Sequence, residues 1–247
     1  MTTAFVFAGG ASLGAIQAGM VDVLAEAGIA PDLIIGSSVG ALNGAWLASR
    51  PWPAGAKSLC EVWLSVRRRD IFPISPWRIL RAAVGRTDHL VSPDALSRWM
   101  SVRAPIFRLE QAVIPLHVVA TDLLTGNPVV LSSGDAIECL LASAAIPGVF
   151  PPVVIDGRSL VDGGLAAPAP VTQAVDLGAD VVYVLPTMND SPLQPPRSAP
   201  GMISLSVAHM LGHAAQSEIR ANASRCTLYL IPPPVMRGIS LFDFRHG

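Results

Sequence analysis

Charged residues are scarce in this chain. Asp, Glu, Lys and Arg make up 14% of its 247 residues and nearly cancel, to a formal net charge of −1. A chain so balanced has no global field to steer it onto nucleic acid, and no basic tract interleaved with aromatics points to that use. Cysteine is scarce too. Cys60, Cys139 and Cys226 are odd in number and far apart, which excludes a disulfide framework and a paired-cysteine metal site and suits free thiols in a reducing compartment. Apolar runs are short. None approaches the ~18–20 residues that span a bilayer. The N-terminus, MTTAFVFAGGASLG, lacks the cationic start and unbroken apolar stretch of a secretory signal. These absences lead us to expect a cytoplasmic protein whose contact with a membrane, if it has one, is peripheral.

Apolar residues are what the chain has in quantity: 51% of the total, with a mean hydropathy of +0.49. That supports one large α/β domain over residues 1–247 and leaves apolar surface for function. Residues 4–7 (AFVF) read as a buried strand. From Gly14, the spacing of Ile16, Met20, Val23, Leu24 and Ala27 predicts a helix ended by Gly28. Leu33 to Ile35 form a second strand and residues 39–49 a second helix, an opening that predicts a parallel sheet covered by helices. Helices follow at 55–66, from Ser92-Pro93 to about Met100, at 135–145 and at about 201–223. Strands are expected at 116–121, 129–131, 181–185 and 226–231, with a hairpin from Val153 to Val161 turning at Asp156-Gly157. Residues 190–200 are Pro- and Ser-rich and read as an exposed loop.

Two glycine-rich turns carry chemistry. Gly36-Ser37-Ser38-Val39-Gly40 matches G-x-S-x-G between a strand and a helix. In such an elbow the small flanking residues allow close backbone approach, the central serine is held strained and exposed, and the helix N-terminus favours developing negative charge. Ser38 is therefore the candidate nucleophile. Gly9-Gly10-Ala11-Ser12-Leu13-Gly14, between the first strand and first helix, offers backbone N–H groups to a phosphate or an oxyanion. A dinucleotide site would want glycine at Ala11 and an acidic residue after the second strand, and the sequence has neither.

A serine hydroxyl needs a base. His209 and His213, four apart on one helix face, are candidates for a Ser…Asp…His order; His89, His117 and His246 are placed less favourably. As a metal pair His209 and His213 lack a convincingly spaced third ligand. Asp162, in Leu160-Val161-Asp162-Gly163-Gly164, opens a tight turn after a strand and is the alternative base. A free aspartate, with a pKa of ~3.9, would need a short hydrogen bond and little water to serve. Asp156 reads as the hairpin turn residue.

With these residues in view the chain resembles the patatin-like phospholipases, a family of lipid acyl hydrolases. Four blocks carry the resemblance in the family's order, up to about residue 232: GGASLGAIQAGM, PDLIIGSSVGALNGA, VVATDLLTGNPVVLSSG and ASAAIPGVFPPVVIDGRSLVDGGL. It implies a three-layer α/β/α sandwich with a mainly parallel central sheet. It further implies a dyad of Ser38 and Asp162 in place of a triad, oxyanion-hole N–H groups from Gly9, Gly10, Ala11 and Ser12, a lipid or lipid-like ester as substrate, and no metal or organic cofactor. The chain departs from the family's G-G-G-x-R/K-G turn at Ala11 and Leu13. The competing classes are a non-catalytic lipid- or partner-binding module on the same fold and a nucleotide-binding oxidoreductase.

Residues 63–86, WLSVRRRDIFPISPWRILRAAVGR, mix six arginines and one aspartate with Trp63, Ile71, Phe72, Trp77, Ile79 and Leu80. Such a mixture suits a lid or docking surface for anionic lipid. It equally suits apolar residues packed on the domain beneath solvated arginines, because its prolines break any long amphipathic helix.

Overall fold

The computed structural model describes residues 1–67, 71–73, 87–103, 107–187 and 198–234. Its centre is a sheet of order β5-β6-β3-β2-β1-β7-β8, with β4 also paired to β3. The strands are β1 (Thr3–Phe7), β2 (Leu33–Ser37), β3 (Leu116–Asp122), β4 (Pro128–Leu131), β5 (Val153–Ile155), β6 (Arg158–Asp162), β7 (Val181–Leu185) and β8 (Thr227–Leu230). Strands β3, β2, β1, β7 and β8 run parallel, while β4 and β6 are antiparallel to β3 and β5 to β6.

The parallel strands are apolar on both faces because both are covered. Phe5, Phe7 and Ile34 point into one core cluster, with Leu24, Leu47, Leu59 and Leu140. Their neighbours Ala4, Val6, Leu33 and Ile35 point into the other, with Val171, Val182 and Val184. Helices α1 (Gly14–Glu26), α2 (Val39–Ala48), α3 (Ala54–Ser65), α4 (Asp94–Arg103) and α5 (Ala136–Ser143) supply the first cluster, and α6 (Val171–Asp176) and α7 (Ala199–Asn222) the second. The result is the three-layer α/β/α arrangement the resemblance implied. Helix α6 has no counterpart in the sequence reading, since six residues are too few to display a helical period. The hairpin turn is as expected: Asp156 and Gly157 both take positive φ, 50° and 75°, as a two-residue type I′ turn requires.

The sheet's order creates the site. β1 lies at the middle of the five parallel strands, with β2 on one side and β7 on the other, so a crevice opens beyond the carboxyl ends of these strands. Along β3, β4 occupies one edge at residues 118–121. The opposite edge takes β2 up to the pair Ser37–Val119 and β6 from the pair Asp162–Ala120. Strands β2 and β6 thus run toward each other and their carboxyl ends meet at adjacent positions of β3.

Of the segment expected to meet lipid, residues 68–70 and 74–86 lie outside the described residues, with Trp77, Ile79 and Leu80 among them. Trp63, Ile71 and Phe72 are buried in the core. These three pack on the domain. His246 and most of the loop expected at 190–200 also fall outside the described residues. Among the described residues no helix is long and apolar enough to cross a membrane.

Candidate active site

The elbow has the backbone its sequence predicts. Ser38 sits at φ 55°, ψ −128° between β2 and α2, a sparsely populated conformation that surrounding structure must hold. The flanking glycines are required by contact. A Cβ on Gly36 would lie 2.5 Å from the Gly40 carbonyl carbon, and one on Gly40 would lie 2.3 Å from the Phe7 carbonyl oxygen. The backbone of the elbow therefore packs directly on the end of β1. The Ser38 N–H donates to Ser143 Oγ (2.9 Å), which in turn donates to the Val119 carbonyl (2.6 Å). The nucleophile candidate's own N–H is thereby committed and is not an oxyanion donor.

Asp162 meets Ser38 across the junction of β2 and β6. The Ser38 hydroxyl donates to Asp162 Oδ2 at 2.6 Å, and the Gly164 N–H donates to Oδ1 at 2.8 Å. Both residues are 7% exposed. Burial pushes the Asp162 carboxyl up to about 6, against the lowering effect of the Ser38 and Gly164 hydrogen bonds. That brings an ordinarily weak base close to neutral pH. The turn after Asp162 is pinned by Thr121, whose hydroxyl donates to the Asp162 carbonyl (2.8 Å) and accepts the Ala166 N–H (3.2 Å). Gly163 is required here, because a Cβ would lie 2.0 Å from the Val119 carbonyl oxygen.

The described histidines lie away from this pair. His209 and His213 are exposed on α7, His117 bonds Ser132 (2.7 Å) and His89 bonds Asp88 (2.7 Å). Among the described residues no histidine hydrogen-bonds Ser38 or Asp162, and no group of three or more His, Cys, Asp and Glu side chains is placed to hold a metal ion.

The glycine-rich turn lies against the elbow: a Cβ on Gly9 would be 3.4 Å from Ser38 Cβ. One of its four expected donors is not available. The Gly9 N–H is bonded to the Pro168 carbonyl (3.0 Å), and the Gly9 carbonyl accepts from Thr187 Oγ1, so this residue anchors the turn. Ser12 is buried in the short 3-10 helix Ala11–Leu13 that follows. Gly10 and Ala11, which follow Gly9 and open that helix, sit at φ 156° and 48°. Ala11 thus holds a left-handed backbone in which its Cβ costs about 1 kcal/mol that glycine would not. We expect Ala11→Gly to raise stability by about 0.5–1 kcal/mol, an increase in Tm of roughly 2 °C by calorimetry; a lower Tm would show that the Cβ contributes packing that outweighs the strain.

Beyond Ser38 opens a pocket lined by Leu42, Trp46, Trp63, Leu96, Met100 and Phe150 among others. Among the described residues that line it none is charged, and Ser38 and Asn43 are the non-aromatic polar ones. Such a wall suits a hydrocarbon chain: each buried CH2 contributes about 0.8 kcal/mol.

A family model described as patatin-like phospholipase matches residues 5–175, a span that holds the elbow, the glycine-rich turn and Asp162. An uncharacterized NTE family protein of Mycobacterium bovis is 29% identical over 226 residues, covering 91% of this chain and 59% of its own length. Lysophospholipase NTE1 of Kluyveromyces lactis is 28% identical over 182 residues, 73% of this chain and 12% of that protein. Patatin-like phospholipase domain-containing protein 7 of Mus musculus is 26% identical over 187 residues, 74% of this chain and 13% of that protein. The chain therefore spans less than two thirds of the length of each of these relatives.

Proposed function

The chain belongs to the patatin-like phospholipase family, and on that premise we propose that it is a serine acyl hydrolase that cleaves carboxylic esters of lipids or lipid-like substrates. The observation that carries this reading is the 2.6 Å hydrogen bond from Ser38 to the buried Asp162 carboxylate at the head of an apolar pocket. We read residues 1–247 as one domain, since β7 and β8 continue the sheet begun by β1.

In this mechanism Ser38 Oγ attacks the ester carbonyl carbon as its proton passes to Asp162 Oδ2. The N–H groups of Gly10 and Ala11 and the N-terminus of α2 stabilise the oxyanion. Collapse of the tetrahedral intermediate expels the alcohol, which takes the proton back from Asp162. Water then attacks the acyl-enzyme, giving its proton to Asp162, and the second collapse returns that proton to Ser38 and releases the acid. No step needs a metal or an organic cofactor.

An ester panel tests the reading. With head group held constant, kcat/KM is expected to rise from a four-carbon to a ten-carbon acyl chain by at least ~100-fold, well within what six buried CH2 groups supply. A flat response, or best activity on acetyl esters, would remove lipid acyl chains from the account.

A further inference from the structure

A line of three buried polar side chains runs from the pocket wall to the glycine-rich turn and has no part in the dyad. Trp63, on α3, donates its indole N–H to Asn43 Oδ1 at 2.9 Å. Asn43, on α2, uses Nδ2 twice, donating to the Gly14 carbonyl (2.9 Å) and to Gln17 Oε1 (2.8 Å). Gln17, on α1, also uses its amide nitrogen twice, donating to the Ala8 carbonyl (2.9 Å) and the Leu185 carbonyl (2.8 Å). Every amide and indole hydrogen in the line therefore has an acceptor.

Of the three backbone carbonyls so gripped, two are those of Ala8 and Gly14, the residues that bracket the turn. Between them lie Gly10 and Ala11, whose N–H groups face the reaction under the function proposed above. The grip is also steric. A Cβ on Gly14 would lie 2.8 Å from Trp63 Cζ2 and 2.5 Å from Val39 Cγ2, so the indole rests directly on the turn's far end. Trp63 and Asn43 are at the same time part of the pocket lining.

We propose that Gln17, Asn43 and Trp63 form a positioning relay, through which an acyl chain seated against Trp63 holds the oxyanion turn in register with Ser38. The inference rests on the acyl-hydrolase reading of this site. Its physical basis is that buried, fully paired amide chains resist deformation, since breaking one link leaves a desolvated donor or acceptor unpaired. A filled pocket fixes the Trp63 ring, the ring fixes Asn43, and Asn43 with Gln17 fixes both ends of the turn. Binding energy from the remote end of the chain is thereby expressed in the transition state, so acyl length should act on kcat as well as KM.

The test is kcat and KM on p-nitrophenyl esters of four to twelve carbons for wild type and Trp63→Phe, which keeps an aromatic ring and removes the N–H donor. In wild type kcat should rise with chain length. In Trp63→Phe, kcat on the longest ester should fall about 10-fold with KM changed less than about 3-fold, and the dependence of kcat on length should flatten. The pH midpoint of kcat should stay where wild type has it, because the dyad is untouched. Backbone amide exchange in a peptide spanning residues 8–14 should quicken, while a peptide spanning β3 should not. Should Trp63→Phe not fold, Asn43→Ser cuts the same link from the other side and is read in the same way. Unchanged kcat at every length, or a loss confined to KM, would overturn the relay and leave the acyl-hydrolase reading standing. Absence of hydrolysis by wild type on the whole series would instead overturn that reading.

Discussion

Ser38→Ala is expected to lose ester hydrolysis by at least roughly 10⁴-fold while remaining folded. Alanine keeps the Cβ at a position whose backbone is held by neighbours: Gly36 and Gly40 allow the close packing on β1, and Ser143 takes the residue's N–H. What disappears is the hydroxyl that points at Asp162. The adjacent serine makes the control. Ser37 is fully buried and donates to the Ala167 carbonyl at 2.6 Å, so Ser37→Ala should cost about 1–2 kcal/mol of stability and keep most of the rate. A Ser38→Ala protein that retains hydrolysis, when purified free of contaminating esterase, would place the nucleophile elsewhere.

Asp162→Asn should lower kcat by roughly 10²–10⁴-fold, because an amide cannot take the Ser38 proton. His209→Ala and His213→Ala, altered on the exposed face of α7, should each lose less than about 3-fold; if either falls as far as Asp162→Asn with its fold intact, the base is a histidine. The pH profile should follow the same carboxyl. Activity requires the ionised form, so kcat/KM of wild type should climb through about pH 6. Stability should move in the opposite sense. The carboxyl rises from its ordinary 3.8 to about 6 on folding, so between those values the folded state holds a proton that the unfolded chain has released. Its contribution to stability is complete below about pH 4 and is lost as pH rises through 6, a change of roughly 3 kcal/mol. The amide introduced by Asp162→Asn has no such titration. That variant should therefore resemble wild type in Tm at pH 4 and exceed it at pH 7. A Tm difference independent of pH would contradict a buried, ionised Asp162.

The parts of the molecule legible in the sequence are those fixed by neighbours in the chain. The apolar runs of β1, β2 and β7 mark strands buried on both faces, and the glycines of GSSVG mark an elbow whose reason is visible only in the contacts: the Cβ of position 40 would strike β1. The four-block resemblance reached the pairing of Ser38 with Asp162, although 124 positions separate them. The route by which they meet was not legible. It depends on β6 entering antiparallel along the edge of β3 that β2 vacates, and antiparallel entry leaves no local pattern. Trp63, Ile71 and Phe72 stand in a stretch whose sequence suited either a lipid-facing surface or packing on the domain, and these three line the pocket and core. Composition could not separate those two faces without the period that prolines interrupt. The glycine-rich turn was legible as a source of donors, but not the withdrawal of Gly9 by Pro168, a partner 159 positions away. Gln17 and Asn43 gave no signal at all, since each is an ordinary polar residue on a helix until its partners are known.

The central claim is that Ser38 is a nucleophile activated by Asp162. Its most direct test is the mass-mapped adduct of a fluorophosphonate probe, measured with its rate of formation at pH 7. The account predicts one adduct per chain, on the peptide that contains Ser38 and on that residue within it. It should be absent in Ser38→Ala and form at least about 100-fold more slowly in Asp162→Asn. An adduct on another residue, or labelling of Ser38 at the same rate in Asp162→Asn, would contradict it.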